Sequence, residues 1–392
     1  MREVAIVAYG RTGIAKAVRG ALNQTHGIAM LSHVLKSVVA KTSVEPGEIE
    51  DVIIGCGLPE GATGHNIART SALAADFPKS VPGITVNRYC GSGVNAISFA
   101  ANRIATGEAQ VIVAGGVESI SLTQSNLNLK GFFYEPLQQR MPEVWWSMNQ
   151  TADYVAKKYG ITREAQDTYA LRSQQHVGAA IERGVFKEEI IPFSTEMKVT
   201  DKATGENRMV QVTLAADEGP RPDSTLEGLA KLKPVAPDGF ITAGNASQLS
   251  DGAAAMVLMD ADLAAKRGIP LLGLFRGMQV SAVAPEEMSI AIAPAIRKLL
   301  KHHDVNLGNV DLWELHEAYA VTTLYNQREL ETPWDITNVN GGAIPLGHPY
   351  GMSGVRYVGS TLLELNRRSK KRAIIGVCTA GGMGTAALLE RP

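Results

Sequence analysis

Ile84-Thr85-Val86-Asn87-Arg88-Tyr89-Cys90-Gly91-Ser92-Gly93-Val94 decides the fold. A short β-branched run enters a turn in which glycines flank a cysteine, and a helical pattern follows over Val94–Thr106. Ile97 and Ile104 share one stripe of that helix. The strand has no polar alternation, as expected for a sheet covered on both faces. The same grammar extends outward. Val4–Val7 reads as a strand, His26–Lys41 as a helix, Val52–Gly55 as a strand and Asn66–Ala75 as a helix. Val111–Ala114 reads as a strand ending at Gly115-Gly116.

The end of the chain repeats this order. Leu271–Arg276 and Val310–Leu315 are strand-like, and Ile290–His302 and Ala318–Glu329 are helical. Val339-Asn340 leads into a glycine-rich turn. A helix over Gly351–Asn366 precedes a strand at Ala373–Val377, which enters Cys378-Thr379-Ala380-Gly381-Gly382. Asp51-Val52-Ile53 answers Asp311-Leu312-Trp313 at an offset of 260, and Val86-Asn87 answers Val339-Asn340 at 253. Val111-Ile112-Val113 answers Ile374-Ile375-Gly376 at 263. Similar offsets in one order point to a duplication. Residues 118–245 break the pattern. They hold Phe132-Phe133-Tyr134, Trp145-Trp146, a helix opening at Thr162 and running to Arg183, and a polar hairpin or loop over Lys198–Val212. This region reads as an insertion over the faces of the repeats, with residues 1–117 and 246–268 forming the first half and 269–392 the second.

Charge and cysteine usage limit the function classes. Lys and Arg total 38 against 39 Asp and Glu, so a strongly basic nucleic-acid footprint is excluded. Cys56, Cys90 and Cys378 are the only cysteines, and none forms a CxxC pair. A disulfide framework and a zinc site are therefore not expected. No apolar run reaches the ~18 residues of a membrane span. The chain enters a strand at Val4 without a signal-peptide pattern, so a cytoplasmic location is expected. Glycine is in excess, at 39 of 392 residues, and gathers at strand ends rather than in linkers.

Four reactive side chains fall at the carboxyl ends of strands, where open α/β sheets bind ligands: Cys90, His316, His348 and Cys378. A thiol at a helix N-terminus feels the positive end of the dipole, which favours thiolate. Free N–H groups beside glycines can bind an oxyanion. Taken alone, Cys90 also fits a buried structural cysteine. His348 sits in the rigid run Gly341-Gly342-Ala343-Ile344-Pro345-Leu346-Gly347-His348-Pro349 and fits a general base or a turn histidine bonded to backbone. The convergence of all four favours chemistry. Cys56 reads as structural. No phosphate loop, no GxGxxG after the first strand and no Gly-x-Ser-x-Gly is present at these turns, so nucleotide hydrolysis, hydride transfer and a serine elbow lack support.

At this point the sequence resembles a thiolase over nearly its whole length. The resemblance rests on Asn87-Arg88-Tyr89-Cys90-Gly91-Ser92-Gly93, Gly115-Gly116-Val117-Glu118-Ser119, His316-Glu317-Ala318-Tyr319, Gly347-His348-Pro349 and Cys378-Thr379-Ala380-Gly381-Gly382-Met383-Gly384. It implies an α/β fold of two duplicated βαβαβαββ halves in a layered αβαβα arrangement with an inserted loop domain. It also implies an acyl-CoA C-acyltransferase. Cys90, activated by His348, would carry the acyl group, and Cys378 would be the acid/base at C2 of acetyl-CoA. His316 and His348 would support an enolate oxygen, and the backbone N–H groups of Cys90 and Ala380 a second oxyanion. The Ala380 assignment requires that its φ not be positive.

By position, Arg221, Ala243 and Ser247 resemble coenzyme A contacts, and Met148 and Met288 resemble methionines beside the acyl group. The methionines equally fit core packing. The resemblance implies coenzyme A and acyl-CoA as substrates, with no permanently bound cofactor and no metal. It further implies a homodimer or homotetramer and a possible β-oxidation partner enzyme. His316 stands where biosynthetic members have Asn, Ser147 where they commonly have His, and Gln248 where Gly is common. Ala380 replaces a more usual Gly, and the stretch between Ser119 and Met148 looks shorter. The His-Glu-Ala and Cys-Thr-Ala-Gly-Gly combination leans toward degradative 3-ketoacyl-CoA thiolases, with acetoacetyl-CoA synthesis as the alternative direction. A non-catalytic acyl-CoA or lipid-binding protein and a decarboxylating ketoacyl synthase are the rivals from other classes.

Overall fold

The computed structural model describes residues 1–392. Its strands are β1 (Val4–Arg11), β2 (Ala15–Lys16), β3 (Asp51–Gly55), β4 (Ile84–Val86), β5 (Val111–Glu118), β6 (Phe193–Thr200), β7 (Asn207–Leu214), β8 (Ser250–Asp260), β9 (Gly273–Ala282), β10 (Leu312–Leu315), β11 (Arg372–Thr379) and β12 (Met383–Glu390). Ten of them form one sheet in the order β10-β11-β12-β9-β1-β8-β5-β3-β4, with β2 on β8. The β6–β7 hairpin stands apart. Two half-sheets meet at β1 and β9, where only Ala5↔Leu274 and Ile6↔Gly273 pair.

Three large apolar clusters separate the layers. One fills the space between the half-sheets and includes Val94, Ile97 and Ile104 of the Ser92–Ala105 helix and Met352, Val355 and Val358 of the Tyr350–Arg367 helix. A second packs the Gly27–Ala40 and Ile67–Ala74 helices on the outer face of the first half. A third packs the Ile292–His303 and Ala320–Leu330 helices on the outer face of the second. The result is helix, sheet, helix, sheet, helix. β5 and β8 are buried at every residue, which explains their unbroken apolar runs.

Three details depart from the sequence reading. First, β5 continues through Gly115-Gly116 to Glu118. These glycines do not end the strand. A Cβ on Gly116 would stand 1.9 Å from the carbonyl oxygen of Gly351, so glycine lets the central helix start against the sheet. Second, the register sets Val52 beside Val113 and Leu312 beside Ala373, so the last two strands correspond at an offset of 260, not 263. Cys56 then corresponds to His316, and Glu118 to Cys378. Third, the second half lacks a strand equivalent to β4, keeping only the bridge Trp313↔Thr337. The Asn338 side chain takes its place: Leu315 N–H donates to Oδ1 at 2.8 Å and Nδ2 donates to the Leu315 carbonyl at 2.8 Å.

The intervening region is held down by a buried ion cluster. Arg11, fully buried in β1, contacts Glu189 at 2.7 Å and Asp217 at 2.6 Å. Its long helix spans Arg163–Glu182, with Thr162 accepting from Ala165 N–H at its N-terminus. No helix is long and apolar enough to cross a membrane.

Candidate active site

Cys90 lies in a 3₁₀ turn, Tyr89–Gly91, between β4 and the Ser92–Ala105 helix. The turn is tight. Tyr89 takes a left-handed φ of 45°, a costly conformation for a bulky residue. Its N–H is held by Asn87 Oδ1 at 2.7 Å and its carbonyl by Ser92 Oγ at 2.6 Å. A Cβ on Gly91 would come 2.7 Å from Thr379 Cγ2, so only glycine lets the Cys90 turn lie against the end of β11.

A cavity of about 70 Å³ joins Cys90, Met148, Ser247, Met288, His348, Cys378 and Ala380, together with Gln248, Leu249, Ala318, Tyr319 and Tyr350. Thus seven of the residues expected at the site share one cavity. His316 is fully buried directly behind it. Its Nδ1 is 3.4 Å from Cys378 Sγ, and its ring centroid is 4.3 Å from that of His348. Arg221 and Ala243 are exposed and lie outside this lining. Met148 begins the Met148–Lys158 helix, and Ser147, the departure noted above, caps it through a reciprocal pair with Gln150. Met288 is buried beside Met148 in the lining.

The hydrogen-bond network assigns the His348 tautomer. Ser353 Oγ donates its one proton to the Pro349 carbonyl at 2.9 Å, so it accepts from His348 Nδ1–H at 2.7 Å. Nε2 therefore keeps its lone pair and has no partner in the protein. His316 Nε2 is also buried without a partner. Two unsatisfied imidazole nitrogens at one cavity are costly in a merely structural site.

Burial fixes the charge state. It draws the His316 pKa down to about 3 despite an opposing contact with the Cys378 backbone. It also draws His348 well below the usual value, aided by His316 and Arg356. Both rings are neutral at physiological pH. Cys378 is raised well above the ordinary thiol value by burial and by Cys90. Cys90 is pushed up to about 12 by burial and by the Glu118 carboxylate, although the N–H groups of Ala380 and of Cys90 itself pull the other way. This corrects the expectation of a standing thiolate: burial and the Glu118 carboxylate outweigh the backbone N–H groups. A nucleophilic role for this sulfur would need a base to take its proton. Ala380 has no positive φ, unlike Gly381 and Gly382 at 79° and 75°, so the condition on its N–H is met.

Sequence reasoning missed Ser353, Tyr319, Leu249 and Tyr350. Ser353 was recoverable, because a helix begun after Pro349 turns its first-turn hydroxyl back toward His348. Leu249, 48% exposed, marks the mouth of the cavity. Cys56 is buried, with Sγ 3.7 Å from Glu118 Oε1, and does not line the cavity.

Comparison with known proteins bears on the family and the fold. Residues 4–262 match the thiolase N-terminal domain and residues 269–391 the thiolase C-terminal domain. A Bacillus subtilis protein named 3-ketoacyl-CoA thiolase is 40% identical over 395 residues, covering 100% of both chains. The crystal structure of the Bacillus anthracis acetyl-CoA acetyltransferase superposes with a TM-score of 0.89 at 38% identity, covering 100% of this chain and 99% of that one. The dimeric peroxisomal thiolase of Saccharomyces cerevisiae gives a TM-score of 0.90 at 34% identity, covering 100% and 98%.

Proposed function

The chain belongs to the thiolase family, a family of acyltransferases, and on that premise we propose that it cleaves 3-oxoacyl-CoA with coenzyme A, releasing acetyl-CoA and a shortened acyl-CoA. The observation that carries this reading is the pairing of two thiols with two neutral imidazoles around one cavity. A binding scaffold has no use for a second thiol held 3.4 Å from a buried histidine.

In the proposed reaction, His348 Nε2 takes the Cys90 proton as the sulfur adds to C3 of the substrate. The N–H groups of Cys90 and Ala380 receive the oxyanion. The C2–C3 bond breaks, leaving the acyl group on Cys90, and the departing C2 takes the Cys378 proton. The enolate oxygen meets Nε2–H of the protonated His348 and Nε2–H of His316, whose Nδ1 accepts from the Cys378 thiol before transfer. Coenzyme A then gives its thiol proton to Cys378 and attacks the acyl-Cys90 carbonyl. The Cys90 sulfur leaves and recovers its proton from His348. Every proton is returned, and a covalent intermediate splits one difficult step into two. The reverse sequence is the condensation that makes acetoacetyl-CoA.

Ser247 at the cavity and the exposed Ala243 and Arg221 would hold the pantetheine and adenine ends of coenzyme A. Functional units at 1–117 with 246–268, 118–245 and 269–392 belong to this reading. So do a cytoplasmic location and a role in β-oxidation. A homodimer is supported by β4, an edge strand whose Ile84 is 47% exposed. The deciding experiment is intact-protein mass spectrometry after incubation with acetyl-CoA. An acetyl adduct mapping to Cys90, absent in Cys90→Ala, is expected. No adduct under native conditions overturns the reading in favour of an acyl-CoA-binding scaffold.

A further inference from the structure

Tyr350, partly exposed, forms part of the cavity wall. It lines the space with Cys90 and His348, and its ring lies edge-on to the His348 ring at 5.2 Å. Its hydroxyl donates to Gln124 Oε1 at 2.9 Å, tying the ring to a segment of another region of the chain. Its base presses on the loop after β3: a Cβ on Gly57 would stand 2.7 Å from the Tyr350 Cβ. The ring is thus fixed at its tip and backed at its base, with no slack for swinging aside.

The size of the space agrees. A dry cavity of 150 Å³ holds benzene, about 25 Å³ per heavy atom. On that scale a cavity of about 70 Å³ takes about three heavy atoms, the size of an acetyl group. We propose that Tyr350 is a specificity-determining residue that favours acetyl on Cys90 and stops longer acyl groups within a few carbons of it, so that the substrates are short-chain 3-oxoacyl-CoAs. The proposal rests on the thiolase reading and adds the substrate class to it.

The test is the chain-length profile of thiolysis, as kcat/KM for 3-oxobutanoyl-, 3-oxohexanoyl-, 3-oxodecanoyl- and 3-oxotetradecanoyl-CoA. A methylene that must be forced against a wall is discriminated by roughly 10-fold or more. The wild type is expected to lose at least about 10-fold between the six- and ten-carbon substrates. Tyr350→Phe keeps the bulk and is expected to keep that ratio. Tyr350→Leu, and Tyr350→Met as a second opener whose unbranched chain can bend, are expected to raise the ten-to-six ratio by about 10-fold or more. A flat wild-type profile out to fourteen carbons overturns the proposal while leaving the thiolase reading intact. So does an opener that folds, cleaves the six-carbon substrate and keeps the wild-type ratio. If neither opener folds, the wild-type profile decides alone. Absence of any thiolysis and of any Cys90 acylation defeats the thiolase reading itself.

Discussion

His348 Nδ1 and Ser353 Oγ lie 2.7 Å apart, and this contact fixes which imidazole nitrogen faces the cavity. Because the serine proton is committed to the Pro349 carbonyl, the contact selects one tautomer. Ser353→Ala removes the selection and leaves a buried N–H without an acceptor. The loss of such a bond costs about 1–3 kcal/mol, so kcat for thiolysis should fall about 5- to 150-fold with KM little changed. A Ser353→Ala enzyme with wild-type kcat would show that the tautomer does not depend on this bond.

The acidities of the site predict its pH behaviour. Cys90 is protonated below about 12, so its thiolate fraction rises about tenfold per pH unit across the neutral range. Alkylation of Cys90 by iodoacetamide should therefore accelerate steadily from pH 7 to 9. A plateau below pH 7 would mean a standing thiolate. His316, lowered to about 3, stays neutral above that value, so no imidazolium from this ring should appear in NMR spectra at pH 5–8.

Cys378→Ala should separate the two half-reactions. In the proposed reaction Cys90 would keep its base and its oxyanion donors, so acetyl-CoA should still acylate it. Exchange of the C2 protons of acetyl-CoA with deuterated solvent needs the Cys378 sulfur and should fall by roughly 10²- to 10⁴-fold. Wild-type exchange in this variant would remove Cys378 from the mechanism.

Arg11→Ala tests the anchoring of the intervening region. It strands Glu189 and Asp217, buried carboxylates that now share one guanidinium. Breaking a buried ion cluster in this way should cost about 3–5 kcal/mol, read as a lower midpoint in urea unfolding. A shift below about 1 kcal/mol would place the cluster among surface ion pairs in energetic terms.

The sequence carried the element order well because its strands are unbroken apolar runs and its helices begin at capping residues. His26, Asn66 and Thr162 each accept a backbone N–H at a helix start. Glycine was harder to read. The same residue ends a turn at Gly91 and continues a strand at Gly116, and the difference lies in which distant backbone approaches it. The missing strand at residue 337 was not legible either, because Asn338 replaces backbone pairing with a side-chain amide. Cys90, His348 and Cys378 were visible as residue types on glycine-rich turns. Their charge states were not, because burial and distant neighbours such as Glu118 set them. Tyr350 stood two residues from His348 in plain view, but nothing in the sequence showed that its hydroxyl reaches Gln124.

The duplicated halves no longer carry the same chemistry. Where the second half places His316 against Cys378, the first places Cys56 against Glu118, at 3.7 Å and outside the cavity. In the proposed reaction the first copy would contribute the acyl-carrying thiol, and the second the imidazoles and the proton-transferring thiol. Neither copy is half an enzyme in the sense of retaining half the rate. On that reading activity requires the two copies to be docked, so turnover would serve as a built-in sensor of their docking. It should fade on mild denaturation before either copy loses its helices.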